Sequence, residues 1–569
     1  MRTNNMMKAA CLMLMASATT SAFAQKMNIE HKGDTTIIKV ENPTKYLLLP
    51  IQEEKDEAQV LLDTGSKDDT WMDVRLAQNG SDYYVPFALG KGKTATVKIL
   101  GLKKDALALN LLKLSDTFDT TNTDYYRPSY HFTPLYGWMN DPNGMVYKDG
   151  EYHLYFQYNP YGSKWGNMHW GHAVSKDLVH WEHLDPAIAR DPVGHIFSGS
   201  SVIDKKNTAG FGKNAIIAIY TNNSVNHDEV QCIAYSNDNG RTFTKYKGNP
   251  VLTPFDGLKD FRDPKVFWYE KGKCWYMIVS ADKEMRLYKS KNLKKWNYVS
   301  AFGKGIGQQP CQYECPDFFQ LPVNGDKKKM KWVMTMNINP GCWFGGSATE
   351  YFVGDFDGYK FTCESKPEVT KWMDYGKDHY ATVTFDNAPE GRRVAIAWMS
   401  NWQYANQVPT QQYRSGNSIP RDLGLFEYKG ETYCSVVPSP EMTAARSKKA
   451  GKKLTESCEM VVNLKGNATI TLSNDKGEKV VMNYDAKAET FSMDRTKSGK
   501  VDFSKDFAAV TKAPTYGKIS QLRIFIDKSS IEALDADGKM SMTNLVFPSK
   551  PYNKVTVKGK GKYQVYDIK

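Results

Sequence analysis

The chain has 569 residues, of which 41% are hydrophobic and 12% aromatic, and these globular values at this length predict two or three domains. The formal charge of +12 comes with lysines scattered in short runs and with no recognition motif, so nucleic-acid binding is not expected. No segment beyond residue 24 is long and apolar enough to span a bilayer, which argues against an integral membrane protein.

The first 24 residues have the pattern of a secretory signal. Arg2 and Lys8 come before an apolar run from Ala9 to Ala18, and Ala22-Phe23-Ala24 provides a cleavage site before Gln25. We therefore expect residues 1–24 to be removed and the rest of the chain to cross the inner membrane. Its location would be periplasmic or extracellular.

Residues 25–115 predict a small N-terminal β-sandwich module. Short alternating apolar runs, such as Thr36 to Val40 and Tyr46 to Ile51, are separated by Gly, Asn and Asp turns. Asp105 to Leu114 is a candidate short helix within it. Residues 116–126 are rich in Thr and Asp without an apolar period, which predicts a linker.

Residues 127–430 carry a weak internal repeat. Strand-turn-strand patterns recur, for example around Asp149-Gly150 and Asn324-Gly325. Five short motifs follow one another at intervals of roughly 50 to 65 residues, near the length of propeller repeats. They are Asn140-Asp141-Pro142, Phe197-Ser198-Gly199-Ser200, Arg262-Asp263-Pro264, Glu314-Cys315-Pro316 and Asp378-His379-Tyr380.

Five repeats of this kind predict a five-bladed β-propeller, in which the starts of the innermost strands converge on one end of the axis. After residue 430 the alternating pattern returns, and residues 431–569 predict a C-terminal β-sandwich. The predicted fold class is therefore all-β.

Three of the repeated motifs carry an acid one or two residues before a proline, and the propeller would bring these acids, Asp141, Asp263 and Glu314, together. Hydrolysis of a bond between sugars takes carboxyl groups in distinct roles around one anomeric carbon. Asp263 beside Arg262 should stay ionised, whereas the apolar neighbours of Glu314 favour the protonated carboxyl that a proton donor needs. Taken alone, Asn-Asp-Pro-Asn-Gly is typical of a turn, and Arg262-Asp263 of a surface ion pair.

Motifs in order along residues 138–405 resemble those of glycoside hydrolase family 32, the fructan hydrolases and invertases. They are WMNDPNG from Trp138, FQYNP from Phe156, FSGS from Phe197, RDP from Arg262, ECPDFF from Glu314, DHYA from Asp378 and WMSNWQYA from Trp398. The segment from Ile526 to Pro548 resembles the β-sandwich appended in that family.

The resemblance implies a propeller funnel that binds a terminal fructosyl unit without a metal or organic cofactor. Asp141 would be the nucleophile, Glu314 the general acid and then base, and Asp263 the transition-state stabiliser of a retaining double displacement. The implied substrate contacts are Trp138, Asn140, Gln157, Trp165, Phe197, Ser198, Arg262, Asp378 and Trp398. One departure, His379 where the family more often has Phe, is predicted to alter the pocket's shape.

Two clusters of metal-ligand residue types are better explained without a metal. The group His169, His172, His180 and His183 lacks the spacing of a helical zinc motif, so core or surface histidines are expected. Cys311 and Cys315 are closely spaced, but no histidine or second cysteine pair completes a zinc pattern. Disulfide pairing stays open.

The favoured function is release of terminal β-D-fructose from fructan, levan or inulin, with weaker cleavage of sucrose. The partner would be a fructan polysaccharide or oligosaccharide. A fructosyltransferase, an endo-acting fructanase and a non-catalytic fructan-binding protein remain alternatives. Linkage preference and oligomeric state stay open.

Overall fold

The computed structural model describes residues 26–121, 124–309 and 311–569, so the predicted signal peptide lies outside the described residues. Strands and loops make up nearly all of the described chain, which confirms the all-β class. The helical segments in it are single turns at Ala108–Leu111, Pro389–Gly391, Ala405–Gln407 and Pro440–Ala444. None of the helices described is long and apolar enough to cross a membrane.

The N-terminal module is a sandwich of a five-stranded and a three-stranded sheet. Alternate residues such as Ile38 and Val40 are buried between the sheets, as the pattern predicts. The candidate helix shrinks to Ala108–Leu111, because Lys113–Ser115 pairs as a strand. The strands are Lys26–Lys32, Thr35–Glu41, Thr94–Leu100, Ala58–Leu62 and Met72–Val74 in one sheet, and Tyr83–Ala88, Tyr46–Ile51 and Lys113–Ser115 in the other.

Five four-stranded blades follow, each antiparallel. In chain order their strands are Gly137–Lys148, Glu151–Asn159, His169–Ser175 and Glu182–Ile188; Gly194–Asp204, Ala215–Ser224, Glu229–Ser236 and Thr244–Lys245; Phe261–Tyr269, Cys274–Ala281, Glu284–Ser290 and Asn297–Phe302; Tyr313–Val323, Asp326–Ile338, Ala348–Phe356 and Phe361–Cys363; Tyr380–Thr384, Val394–Trp398, Arg421–Tyr428 and Glu431–Pro438. The five predicted blades are confirmed.

The ring of blades closes through a short strand, Tyr413–Arg414, which precedes the third strand of the fifth blade and pairs in parallel with Gly137–Lys148 of the first. The last blade extends past residue 430, the predicted end of the propeller. Arg421–Tyr428 and Glu431–Pro438 pair along their whole length as one hairpin.

The first strand of every blade carries a β-bulge in which two of its residues oppose one residue of the second strand. A bulge bends the strand and turns a side chain out of the regular alternation. The bulged pairs are Asn140–Asp141, Phe197–Ser198, Asp263–Pro264, Cys315–Pro316 and Ala381–Thr382. Three residues at these bulges have positive φ angles that are unfavourable for side chains with a Cβ: Asp263, Cys315 and Ala381.

The C-terminal sandwich is built around one long strand, Cys458–Ser473, whose inward residues Cys458, Met460 and Val462 are buried. It pairs with three neighbours. The other strands are Lys479–Asp485, Thr490–Lys497, Val510–Pro514, Gln521–Asp527, Ser530–Asp535, Ser541–Leu545 and Lys554–Asp567.

Candidate active site

A cavity of about 350 Å³ is lined by residues of three of these bulges, namely Asn140 and Asp141, Phe197 and Ser198, and Asp263. Nine of the predicted site residues line it: Asn140, Asp141, Gln157, Trp165, Phe197, Ser198, Arg262, Asp263 and Glu314. They come from four different blades, so the propeller brings together residues that are far apart in sequence. Glu229, Gln312, Asn339 and Trp402 complete the lining.

Asp141 lies at the first bulge, inside a continuous strand, and the Asn-Asp-Pro-Asn-Gly sequence is therefore not a turn here. Its carboxylate accepts hydrogen bonds from Ser198 Oγ at 2.7 Å and Asn140 Nδ2 at 3.1 Å, and Cys315 Sγ lies 3.3 Å away. Burial, followed by the negative charge of Glu314, raises the pKa of Asp141, and these hydrogen bonds oppose the rise.

Asp263 faces Asp141 across the sulfur atom of Cys315, which lies 3.6 Å from Asp263 Oδ2. One sulfur atom therefore lies within 3.6 Å of both carboxylates. The Asp263 carboxylate also accepts the Cys315 backbone N–H at 2.9 Å. Burial raises the pKa of Asp263 to about 8, and the charge of Arg262 only partly offsets it. The expectation that Arg262 keeps Asp263 ionised is therefore wrong for the free pocket.

Two hydrogen-bond donors hold the carboxylate of Glu314 in place. Arg262 Nη2 donates to Glu314 Oε1 at 3.1 Å, and the Tyr380 hydroxyl makes a short hydrogen bond to Oε2. The predicted apolar surroundings are wrong, because both carboxylate oxygens contact polar groups. Arg262 Nη1 donates to Glu229 at 3.1 Å and to Asp260 at 2.8 Å. These two bonds fix the orientation of the guanidinium that contacts Glu314.

The aromatic wall is layered. Trp402 lines the cavity, and Trp138 and Trp398 lie behind it, fully buried, at ring-centroid distances of 5.8 and 4.8 Å. Trp138 and Trp398 were predicted to contact the substrate, but neither reaches the cavity surface. Trp138 still acts on the site, because its Nε1 donates to Asn140 Oδ1 at 2.9 Å and orients the amide toward Asp141.

Asp378 is not at the cavity, contrary to the prediction. It is fully buried between the propeller and the C-terminal sandwich, where it pairs with Arg495 at 2.6 Å and accepts the Tyr404 hydroxyl at 2.6 Å and the Leu545 N–H at 2.7 Å. Both of its carboxylate oxygens accept hydrogen bonds from protein groups. His379 is likewise buried, beside Thr382 at 3.2 Å, and does not shape the cavity wall.

Four lining residues were not predicted from the sequence, three of them for a common reason. Gln312 and Asn339 flank the strands of the fourth blade, and Glu229 opens a strand of the second. Polar residues at strand ends are common everywhere, so nothing local marks these three. Trp402 had a signal, since it lies four residues after Trp398 in the same motif.

The histidines of the predicted cluster have local surroundings that need no metal. His172 Nε2 lies 3.2 Å from His153 Nδ1, and His183 stacks on Phe132 at 4.9 Å. His169 is buried beside a backbone carbonyl, and His180 is exposed. Among the described residues, no cluster of three or more such side chains could hold a metal ion, and the eight cysteines are free thiols.

Family models match most of this chain. The model of the glycosyl hydrolases family 32 N-terminal domain matches residues 131–436, and the model of the family 32 C-terminal domain matches residues 435–569. Residues 33–130 match a domain of unknown function.

Curated relatives and solved structures agree with the models. A levanase of Bacillus subtilis (strain 168) is 46% identical over 474 residues, covering 77% of this chain and 70% of the relative. An extracellular exo-inulinase of Aspergillus niger is 37% identical over 484 residues, covering 74% and 90%. The crystal structure of an exo-inulinase from Aspergillus awamori matches with a TM-score of 0.73 at 33% identity, covering 79% of this chain and 99% of that chain. A fructofuranosidase from Schwanniomyces occidentalis complexed with fructose matches with a TM-score of 0.70 at 33% identity, over 79% and 99%.

Proposed function

Since this chain belongs to glycoside hydrolase family 32, we propose that it removes terminal β-D-fructose units from fructan chains, levan or inulin, with weaker cleavage of sucrose. The observation that carries the proposal is the meeting of Asp141, Asp263 and Glu314 in one cavity that also holds hydrogen-bonding groups from four blades.

The proposed reaction is a double displacement with retention. Asp141 attacks the anomeric carbon of the fructosyl unit while Glu314 gives its proton to the departing glycosidic oxygen, which leaves an ester on Asp141. Glu314 then takes a proton from water, whose oxygen attacks the same carbon and regenerates the Asp141 carboxylate. Atoms and charge balance without a metal or cofactor.

Asp263 supports this sequence from the side. Burial raises the pKa of Asp263 to about 8, so the cavity by itself disfavours the charged carboxylate. Sugar hydroxyls that donate to it, and positive charge that develops on the anomeric carbon, both favour its ionised form. The interaction between the Asp263 carboxylate and the sugar is therefore strongest in the transition state. Stabilisation at that point is what accelerates a reaction.

The small volume of the cavity favours attack at chain ends. About 350 Å³ is at the small end of ligand sites, which suits a terminal unit better than a long stretch of polymer. Gln157, whose Nε2 is held by the Ile196 carbonyl at 3.1 Å, and Asn140, held by Trp138, would present fixed amides to ring hydroxyls. Location outside the cytoplasm is part of the proposal, because several relatives are described as extracellular.

A time course on levan, inulin and sucrose side by side tests the proposal. We expect free fructose as the earliest product from the polymers, with the β-anomer formed first by NMR. Oligosaccharides released before fructose would show endo action. Transfer of fructose to added sugar in place of water would show a fructosyltransferase, and no release from any of the three would contradict the proposal.

A further inference from the structure

The loop that joins the second and third strands of the first blade, residues 160–168, lies between the cavity and the N-terminal module. It carries Trp165, which lines the cavity with 39% of its surface exposed. The Trp165 ring contacts His195 and Phe197 at centroid distances of 5.7 and 6.1 Å. Its backbone N–H reaches Asn406 Oδ1 only at 3.5 Å. The position of the indole therefore depends on how the rest of the loop is held.

The N-terminal module holds the loop just before Trp165. The Ser163 N–H donates to the Tyr83 hydroxyl at 2.9 Å, and the Ser163 hydroxyl makes a short hydrogen bond to Glu53. Tyr83 in turn donates to Glu53 at 2.6 Å. Arg414 of the propeller closes the set, with bonds of 3.2 Å to Glu53 and 2.8 Å to the Ser163 carbonyl. Ser163 is fully buried by these contacts.

The module also holds the loop just after Trp165. Asn167 Nδ2 donates to the Asp73 carbonyl at 2.7 Å, and Asn167 Oδ1 accepts the Asp73 N–H at 2.9 Å. The Asp73 carboxylate is fixed by Arg190 at 2.8 Å. Asn167 is 1% exposed, so both bonds are shielded from water. Tyr161 adds an apolar contact, because it packs on the core of the module.

We propose that the N-terminal module is a positioning device for the substrate site, which holds residues 160–168 through Glu53, Tyr83 and Asp73 so that Trp165 is fixed at the cavity rim. A loop that is ordered before binding loses less conformational entropy when the ligand arrives. None of the three module residues lines the cavity, so they act through the loop and not on the sugar. The identity of the ligand rests on the proposed function.

The chain offers matched controls for a test in the full-length protein. Glu53→Ala and Tyr83→Phe remove contacts to the loop. Glu57→Ala and Tyr84→Phe remove similar groups whose partners are inside the module, namely Arg75 at 2.7 Å and the Leu111 carbonyl at 3.2 Å. Hydrogen–deuterium exchange without substrate should become faster across residues 160–168 in the first two variants and stay at the wild-type rate in the controls.

Kinetics on levan and inulin then connect the loop to binding. We expect Glu53→Ala to raise KM roughly tenfold with kcat within about twofold, since a misplaced contact weakens binding of the sugar. In a Trp165→Ala background the same substitution should change KM little, because the contact that it disturbs is already gone. Glu57→Ala should leave both constants unchanged.

Two outcomes would overturn the inference: wild-type exchange across the loop in both Glu53→Ala and Tyr83→Phe, or an undiminished KM effect in the Trp165→Ala background. If Glu53→Ala fails to fold, Tyr83→Phe carries the test, because it removes a single hydroxyl. A wild-type chain that released no fructose would contradict the proposed function alone, since the exchange measurement needs no substrate.

Discussion

Two clusters of buried acidic side chains in this protein differ in how their charge is balanced. Four carboxylates line the cavity beside a single guanidinium, that of Arg262. Between the propeller and the C-terminal sandwich, four carboxylates meet three basic groups at 2.9 Å or less. These pairs are Asp374 and Glu532 with Arg421, Asp378 with Arg495, and Asp527 and Glu532 with His131.

The difference shows in the pKa values. In the cavity, burial dominates and raises the pKa of Asp141 and of Asp263. At the interface, burial also acts to raise the pKa of Glu532, but the charges of Arg421 and His131 outweigh it and lower the pKa. Paired acids therefore join the two domains, whereas Asp141 and Asp263, which share one guanidinium with the other cavity acids, have raised pKa values.

The strongest way to test this division is to neutralise the cavity acids. We expect Asp141→Asn and Glu314→Gln each to lower kcat on fructan by a factor of about 10⁴ or more, because both groups act in one chemical sequence. Asp141→Asn should unfold at or above the wild-type temperature, since it removes a buried charge that lacks a counter-ion. Fructose release and thermal melting measure the two effects. Wild-type turnover by either variant would remove that residue from the proposed mechanism.

The same change at the interface should have the opposite result. We expect Asp378→Asn and Arg495→Met to lower the free energy of unfolding by about 3–5 kcal/mol, because each leaves a buried partner charge uncompensated. KM for fructan should not change. Denaturant unfolding and steady-state kinetics measure the two quantities.

Asp475→Asn is the control for this prediction. Its partner Lys554 lies 2.6 Å away, but both side chains are more than half exposed, so a loss of about 0–1 kcal/mol is expected. If Asp378→Asn raised KM and left stability unchanged, Asp378 would be a substrate contact, as the sequence predicted, and not an interface residue.

The cavity residues could be predicted from the sequence because their signals are local. Each acidic motif places a proline within two residues of the acid, and proline inside a strand requires an interruption of the hydrogen-bond ladder. Pro264 and Pro316 are themselves the second residues of their bulges. The repeat along the sequence is therefore a repeat of bulges, and bulges turn side chains toward the axis.

The interface had no such signal. Asp378 and Arg495 are 117 residues apart, and a pair buried at this separation leaves no spacing pattern in either segment. The prediction of Trp398 as a cavity residue failed for a different reason. Every residue of Val394–Trp398 is buried, so no alternation of apolar and polar residues shows which side chains face the cavity.

A further prediction, on the pH dependence of stability, follows from Asp263. Its pKa of about 8 in the fold is above the value of about 3.9 in the unfolded chain. Its contribution to stability is therefore complete below about pH 4 and is lost as the pH rises toward 8. The side chain that Asp263→Asn introduces does not titrate. The melting temperature of the variant minus that of the wild type should therefore increase from pH 5 to pH 8. The difference between Asp475→Asn and the wild type should stay constant over that range, and a constant difference for Asp263→Asn would contradict the assignment.

The smallest expected effect compares the two tryptophans behind Trp402. Trp138→Phe and Trp398→Phe remove similar volume, but Trp138 Nε1 donates to Asn140, whereas Trp398 Nε1 has no hydrogen-bond partner among the described residues. Loss of one hydrogen bond is worth about 1 kcal/mol, so Trp138→Phe should lower kcat/KM by about fivefold more than Trp398→Phe. Trp398→Phe removes an unsatisfied buried donor, which offsets part of the stability lost with its packing. Equal losses of kcat/KM would mean that packing on Trp402, and not the orientation of Asn140 toward Asp141, is what this layer contributes.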